Sequence, residues 1–204
     1  GVTPLGNGSD GVRVEGDAVV TIGGAAPGEG NVIAHSFETG VVVKRNSFSP
    51  LDPNPRVSIL GNSIFDNGTD DILAFQGHPG IDLGDDCGVC GLTPNDACDS
   101  DTGPNSLQNF PSLTSAGSDG QSIQITGTLN SQPNTAFTIE FFANSECDPS
   151  GFGEGKRFIG ATSVTTDNGC DASFNVFVTS AVPVGEFMTA TATDPDGNTS
   201  EFSN

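Results

Sequence analysis

Asn31-Val32-Ile33, followed nine residues after Asn31 by Gly40-Val41-Val42-Val43, is the stretch on which the reading of the fold turns. The pattern returns, because Asn62-Ser63-Ile64 is followed nine residues after Asn62 by Asp71-Ile72-Leu73. Between the copies lies Val57-Ser58-Ile59-Leu60-Gly61, with an earlier counterpart in Val20-Thr21-Ile22-Gly23, and Gly11-Val12-Arg13-Val14 is a further copy of Gly-Val-x-Val. The offsets are 29 residues from Gly11 to Gly40 and 31 from Asn31 to Asn62. A period of this length signals stacked repeats. Three short strands per period with turns between them describe a β-helix coil, which cannot bury its apolar face without a neighbour.

The whole composition agrees with strands joined by tight turns. There are 28 Gly and 13 Pro among 204 residues, and Val, Ile, Thr and Phe dominate the apolar runs. Sustained 3.6-residue periodicity is missing, so helix content is expected to be very low. From Phe110 onward the pattern changes to regular alternation. Ile123–Leu129, Phe137–Phe142, Phe158–Thr166, Ser173–Val178 and Phe187–Thr193 read as strands, with a first one near 112–116. Ser118-Asp-Gly120, Pro133-Asn134, Asp167-Asn-Gly169 and Asp196-Gly-Asn198 supply the turns. Six or seven strands in about 95 residues are the signature of an immunoglobulin-like β-sandwich, here without any Trp.

Charge narrows the function. Twenty-six acidic residues against six basic ones give a net charge of −20. Nucleic acid and anionic membranes are excluded as partners, because nothing here replaces their counterions. No run of 18 apolar residues is present, so membrane insertion is not expected. The opening Gly1-Val-Thr-Pro starts in mid-pattern, as a processed product or a fragment does.

Carboxylates that converge invite a hard cation, and they converge between residues 81 and 109. Asp82, Asp85 and Asp86 form one group, and Asn95, Asp96, Asp99, Asp101 and Asn105 another. Asp99-x-Asp101-x-Gly103-x-Asn105 has the alternating oxygen ligands and the glycine of a calcium loop, without the distal Glu or flanking helices of an EF-hand. An acidic linker with Asx-turns is the competing reading. Asp194, Asp196, Asn198 and Glu201 are a second candidate calcium site, against a plain hairpin turn at Asp196-Gly197.

Cysteines stand at 87, 90, 98, 147 and 170. Their scatter in an acidic, strand-rich chain points to an oxidising, extracellular or cell-surface location. A bridge between Cys147 and Cys170 is expected, with Cys87 or Cys90 joined to Cys98 and one thiol left over. Cys87-x2-Cys90-x7-Cys98 with His78 nearby is the alternative zinc reading. Asn7, Asn31 and Asn62 are read as inward corner residues bonded to turn backbone, with a sugar-binding groove as the alternative.

Leu5-Gly-Asn7, Gly11-Val-Arg-Val14, Thr21-Ile-Gly-Gly24 and Gly28-Glu-Gly-Asn-Val-Ile33 resemble recurring elements of the right-handed parallel β-helix repeats in large bacterial surface proteins. Asp148-Pro-Ser-Gly-Phe-Gly-Glu-Gly155 and Thr191–Phe202 resemble parts of the sandwich that commonly ends them. The resemblance implies a place on a cell surface or in a matrix and no reaction. The expected fold is therefore all-β: the last two to three coils of a right-handed parallel β-helix over 1–80, an acidic junction over 81–109 and a β-sandwich over 110–204.

Three functions compete. The first is a non-catalytic structural or adhesive surface protein that assembles with itself head to tail or with upstream repeats. The second is a fragment of a carbohydrate-active β-helix enzyme. Its basic candidates are only Arg13, Lys44, Arg45, Arg56, Lys156 and Arg157 with His35 and His78, and two coils make a short groove. The third is a carbohydrate-binding module for cell-surface glycans, which would stack sugars on Trp or Tyr; this chain has neither. The first reading leads, with no catalytic residue assigned.

Overall fold

A computed structural model describes residues 5–46, 54–68, 78–84, 91–148, 151 and 153–203. The chain is all-β. Its strands are β1 (Val12–Glu15), β2 (Val19–Gly23), β3 (Val32–Ala34), β4 (Val41–Lys44), β5 (Arg56–Leu60), β6 (Ser63–Phe65), β7 (Ile81–Asp82), β8 (Ser112–Ser118), β9 (Ile123–Asn130), β10 (Ala136–Asn144), β11 (Arg157–Thr165), β12 (Asp171–Val178) and β13 (Phe187–Thr193).

The repeats of the first half become parallel pairs. β1 lies against β4 with Val12 opposite Val41, β2 against β5 with Val20 opposite Val57, and β3 against β6 with Val32 opposite Ser63. β4 in turn pairs with β7, Val41 opposite Ile81. By composition Ile81-Asp82 reads as part of the polar junction, and the structure makes it a strand instead. A strand of two residues has too little pattern to be seen, and its partner, not its composition, makes it a strand. Asp71-Ile72-Leu73 lies outside the described residues.

Gly11, Gly40 and Gly80 precede β1, β4 and β7 at the same point of the repeat. A Cβ on Gly11 would stand 2.5 Å from the Gly40 carbonyl oxygen, and one on Gly40 would stand 2.6 Å from that of Gly80. Backbone stacks directly on backbone there, so the Gly of Gly-Val-x-Val is required by the neighbouring copy. Asn62 joins the layers as well: its amide donates to the Ile22 and Leu60 carbonyls (2.8 and 3.0 Å), and its Oδ1 accepts from the Asn31 N–H (2.9 Å). Asn67 repeats the device, donating to Ile33 and Phe65 carbonyls and accepting from Ser36 N–H. Asn7 donates to the Asp10 and Gly11 carbonyls. These asparagines hold turns together.

The second half forms two antiparallel sheets, in the orders β11-β10-β13 and β12-β9-β8. Alternating residues of both meet in one core, with Ile123, Ile125 and Leu129 of β9 and Phe174 of β12 facing Phe137, Ile139 and Phe141 of β10. The ring centroids of Phe141 and Phe174 are 5.7 Å apart. All six strands fall where the alternation places them. Asp119 accepts from Gln121 and Ser122 N–H groups, and Asp167 from Gly169 and Asp171, so both turns are Asx-type as their sequences indicate.

The apolar cluster of the first half does not stop at residue 80. Ile22, Ile33, Val41, Ile59, Ile64, Ile81 and Leu83 share it with Phe142 and Phe202, which meet edge to face at 5.1 Å. The exposed side of β5 and β6 is covered likewise. Asn105 accepts from Val57 N–H (2.6 Å) and donates to Val57 and Thr199 carbonyls (both 2.8 Å). Ile59 N–H donates to Thr199 Oγ1 (2.9 Å), and Ile64 and Gly155 exchange two backbone bonds of 2.8 Å. No helix among the described residues is long and apolar enough to cross a membrane.

Candidate functional site

Two sets of acidic residues stand out, a trio in the loop of the junction and three separate carboxylates buried against the parallel strands. In the first, Asp96, Asp99 and Asp101 each offer a carboxylate oxygen, and these oxygens lie within 4.8 Å of one another. The loop is shaped by left-handed Cys98 and Asp99 (φ 59° and 53°). Asp99 is buried, accepting from Asn109 N–H (3.1 Å) and Ser131 Oγ (2.6 Å). Burial pushes its carboxyl up to about 6, opposed by those two hydrogen bonds and assisted by the charges of Asp101 and Asp96. Asp101 is raised as well, by burial and then by Asp96, and its Oδ1 is out of solvent without a hydrogen-bond donor. Such a trio of oxygens can hold a metal ion.

The other residues expected at this site are elsewhere or otherwise engaged. Asn95 exchanges two hydrogen bonds with the Phe110 backbone, at 2.9 and 2.8 Å. Asn105 is fully buried against β5 and is a structural amide rather than a ligand. Asp82 sits buried in β7, its carboxyl raised chiefly by desolvation. Asp85 and Asp86 lie outside the described residues, as do Cys87 and Cys90.

The carboxylates of the second expected cluster, Asp194, Asp196 and Glu201, are not grouped together. Asp194 binds the Asn198 N–H and side-chain amide (2.8 and 2.7 Å), closing the turn, while Asp196 is exposed. Glu201 is buried against the segment that follows β7.

Glu201 is one of three separate buried carboxylates to which the sequence reading assigns no such role. Glu201 accepts from Leu83 and Thr93 N–H groups (3.0 and 2.7 Å). Glu154 accepts from Asp66 and Asn67 (2.7 and 3.1 Å), and Glu140 from Gly61 (2.9 Å). All three side chains belong to the second half, and every donor but Thr93 lies at the end of a parallel strand. A carboxylate oxygen here replaces the carbonyl that a next parallel strand would bring. Burial pushes Glu140 and Glu154 up to about 7 and Glu201 up to about 8, with the backbone hydrogen bonds pulling the other way. The available signal was an acid inside an apolar run, Thr138-Ile-Glu140-Phe-Phe142.

The cysteines differ from expectation. Cys98 is bonded to Cys170, and Cys147 is a free, exposed thiol. β10 explains it. Its nine residues span roughly 25–30 Å, placing Cys147 beyond one end, whereas Cys170 lies at the other end beside Ser131. Cys98 is held at that same end by its N–H bond to Asn130 Oδ1 (2.8 Å). The zinc reading loses Cys98 to this bridge.

Four basic side chains serve as local counter-charges. Arg13 lies 2.5 Å from Asp10, Lys44 3.1 Å from Glu15, Lys156 3.8 Å from Asp66 and Arg157 2.7 Å from Glu186, while Arg45 donates to the Thr102 carbonyl. No known protein-family model matches this chain, and no curated protein does either.

Proposed function

We propose that this chain is a non-catalytic, extracellular structural or adhesive surface protein, forming the closing end of a right-handed parallel β-helix with an immunoglobulin-like sandwich as its cap. The observation that carries this reading is the asymmetry between the two ends of the parallel strands. At one end Glu140, Glu154, Glu201, Asn105, Thr199 and Gly155 occupy backbone groups of β5, β6 and the segment after β7. At the other end β1, β2 and β3 have no parallel partner on their far side among the described residues, and Leu5, Val19 and Val32 are 95, 72 and 74% exposed. Repeat stacks need such ends covered.

Further parallel coils of the same protein are the natural cover, continuing the register of Gly11 and Asn31. Because the sandwich occupies the other end, a neighbouring copy reaches the open coil with its sandwich and not with its last coil; head-to-tail filaments would grow in that way. The Cys98–Cys170 bridge fits an oxidising exterior, and calcium at Asp96, Asp99 and Asp101 would neutralise the junction.

Light scattering and electron microscopy of the chain at increasing concentration test the assembly. Particles that dissociate with Val32→Glu, a change confined to an exposed position, support it. A monodisperse monomer, with β1–β3 amides exchanging freely even in material from the native source, would refute it.

A further inference from the structure

A cavity of about 620 Å³ opens where the end of β6, the turn after β10 and the start of β13 meet, a size usual for ligand sites. Phe65, Asp66, Glu146, Glu154, Lys156 and Phe187 are among its walls. It combines aromatic side chains with carboxylates, and among the described lining residues Lys156 is the one cation. That cation shows how the walls recognise charge: the Lys156 ammonium lies 4.7 Å from the Phe65 ring centre and 3.8 Å from Asp66 Oδ2. An ammonium held between a ring face and a carboxylate gains from both. The same cavity is also lined by Phe187, which is 47% exposed, and by the carboxylates of Glu146 and Glu154.

From this geometry we propose that the cavity binds an alkylammonium or guanidinium group on an apolar stem, presented as an exposed Lys or Arg side chain of a partner protein. The stem lies along Phe187 and the cationic head reaches Glu154 and Glu146. Glu154 is anchored for this by the Asp66 and Asn67 N–H groups, and its backbone carbonyl is fixed by Asn144 (3.1 Å). Burial raises the Glu154 carboxyl, with the Asn67 and Asp66 backbone hydrogen bonds pulling the other way. The chain's own charge favours the encounter, since a surface at −20 attracts basic partners. The site is independent of the open coil at β1–β3.

The probes are Nα-acetyl-lysine and Nα-acetyl-arginine N-methylamides, titrated into ¹⁵N-labelled protein, with the uncharged norleucine analogue as control. Saturable amide shifts at Asp66, Glu146 and Phe187 that the control does not produce are the expected result. Phe187→Ala and Glu146→Gln change exposed residues and should leave folding intact. Each should weaken binding about threefold, the size of one partly exposed cation–π or charge contact. Absence of saturable shifts, equal shifts with norleucine, or unchanged affinity in both variants overturns the proposal.

Discussion

Glu140→Gln is predicted to stabilise the protein at pH 8 and to change little at pH 4.5. Glu140 is 1% exposed, and its one backbone partner is the Gly61 N–H at 2.9 Å. Its folded carboxyl sits at about 7, against an ordinary value of 4.5, because burial penalises the charge. A raised carboxyl binds its proton more tightly in the folded chain than in the unfolded one. Its contribution is thus fully present below pH 4.5 and is lost as pH rises through about 7. The interval corresponds to roughly 3 kcal/mol at most, and local relaxation makes about 2 kcal/mol the expected gain from the substitution. Glutamine keeps an acceptor for Gly61 and removes the titration. Urea unfolding from pH 4.5 to 8 reads the difference directly as midpoint and slope. Wild-type stability should fall across this range, and the variant should fall less. Parallel curves, or a variant equally destabilised at both ends, would show that Glu140 carries its charge without cost and that the account of the buried carboxylates is wrong.

Glu201 and Glu154 shift in the same direction, so the intact protein should be more stable at pH 5 than at pH 8, measured by thermal melts at constant ionic strength. Non-reducing peptide mapping should link Cys98 to Cys170 and find Cys147 alkylated. Cys170→Ser should cost about 4 kcal/mol for a bridge separated by 72 residues, and a loss below 1 kcal/mol would mean the loop is held by other contacts. Asn62→Ala, which deletes a buried amide serving both layers, should cost about 2–4 kcal/mol in chemical unfolding, while Asn7→Ala, at the exposed end, should cost under about 1. Millimolar Ca²⁺ should raise the melting temperature, and Asp101→Asn should remove most of that rise; no response to Ca²⁺ or to chelation leaves the trio a hydrogen-bonded acidic loop.

Local chemistry was enough to place most strands. Val, Ile, Thr and Phe alternate over β9–β13, the Asx turns sit between them, and the 29- and 31-residue offsets reappear as the registers Val12–Val41 and Val32–Ser63. Those properties depend on neighbours a few residues apart, or on exact repetition, so they survive in a one-dimensional reading. Pairing across the fold does not. Cys170 meets Cys98 rather than Cys147 because the length of β10 separates two cysteines that are closer in sequence. Asn105 and Glu201 look like cation ligands in composition, yet each ends beside unpaired backbone of the parallel strands and takes up its hydrogen bonds. Asp96, Asp99 and Asp101 remain together because a single short loop holds all three. What an oxygen atom does here depends on which N–H group the folded chain leaves unpaired beside it, and that is settled only when distant segments pack.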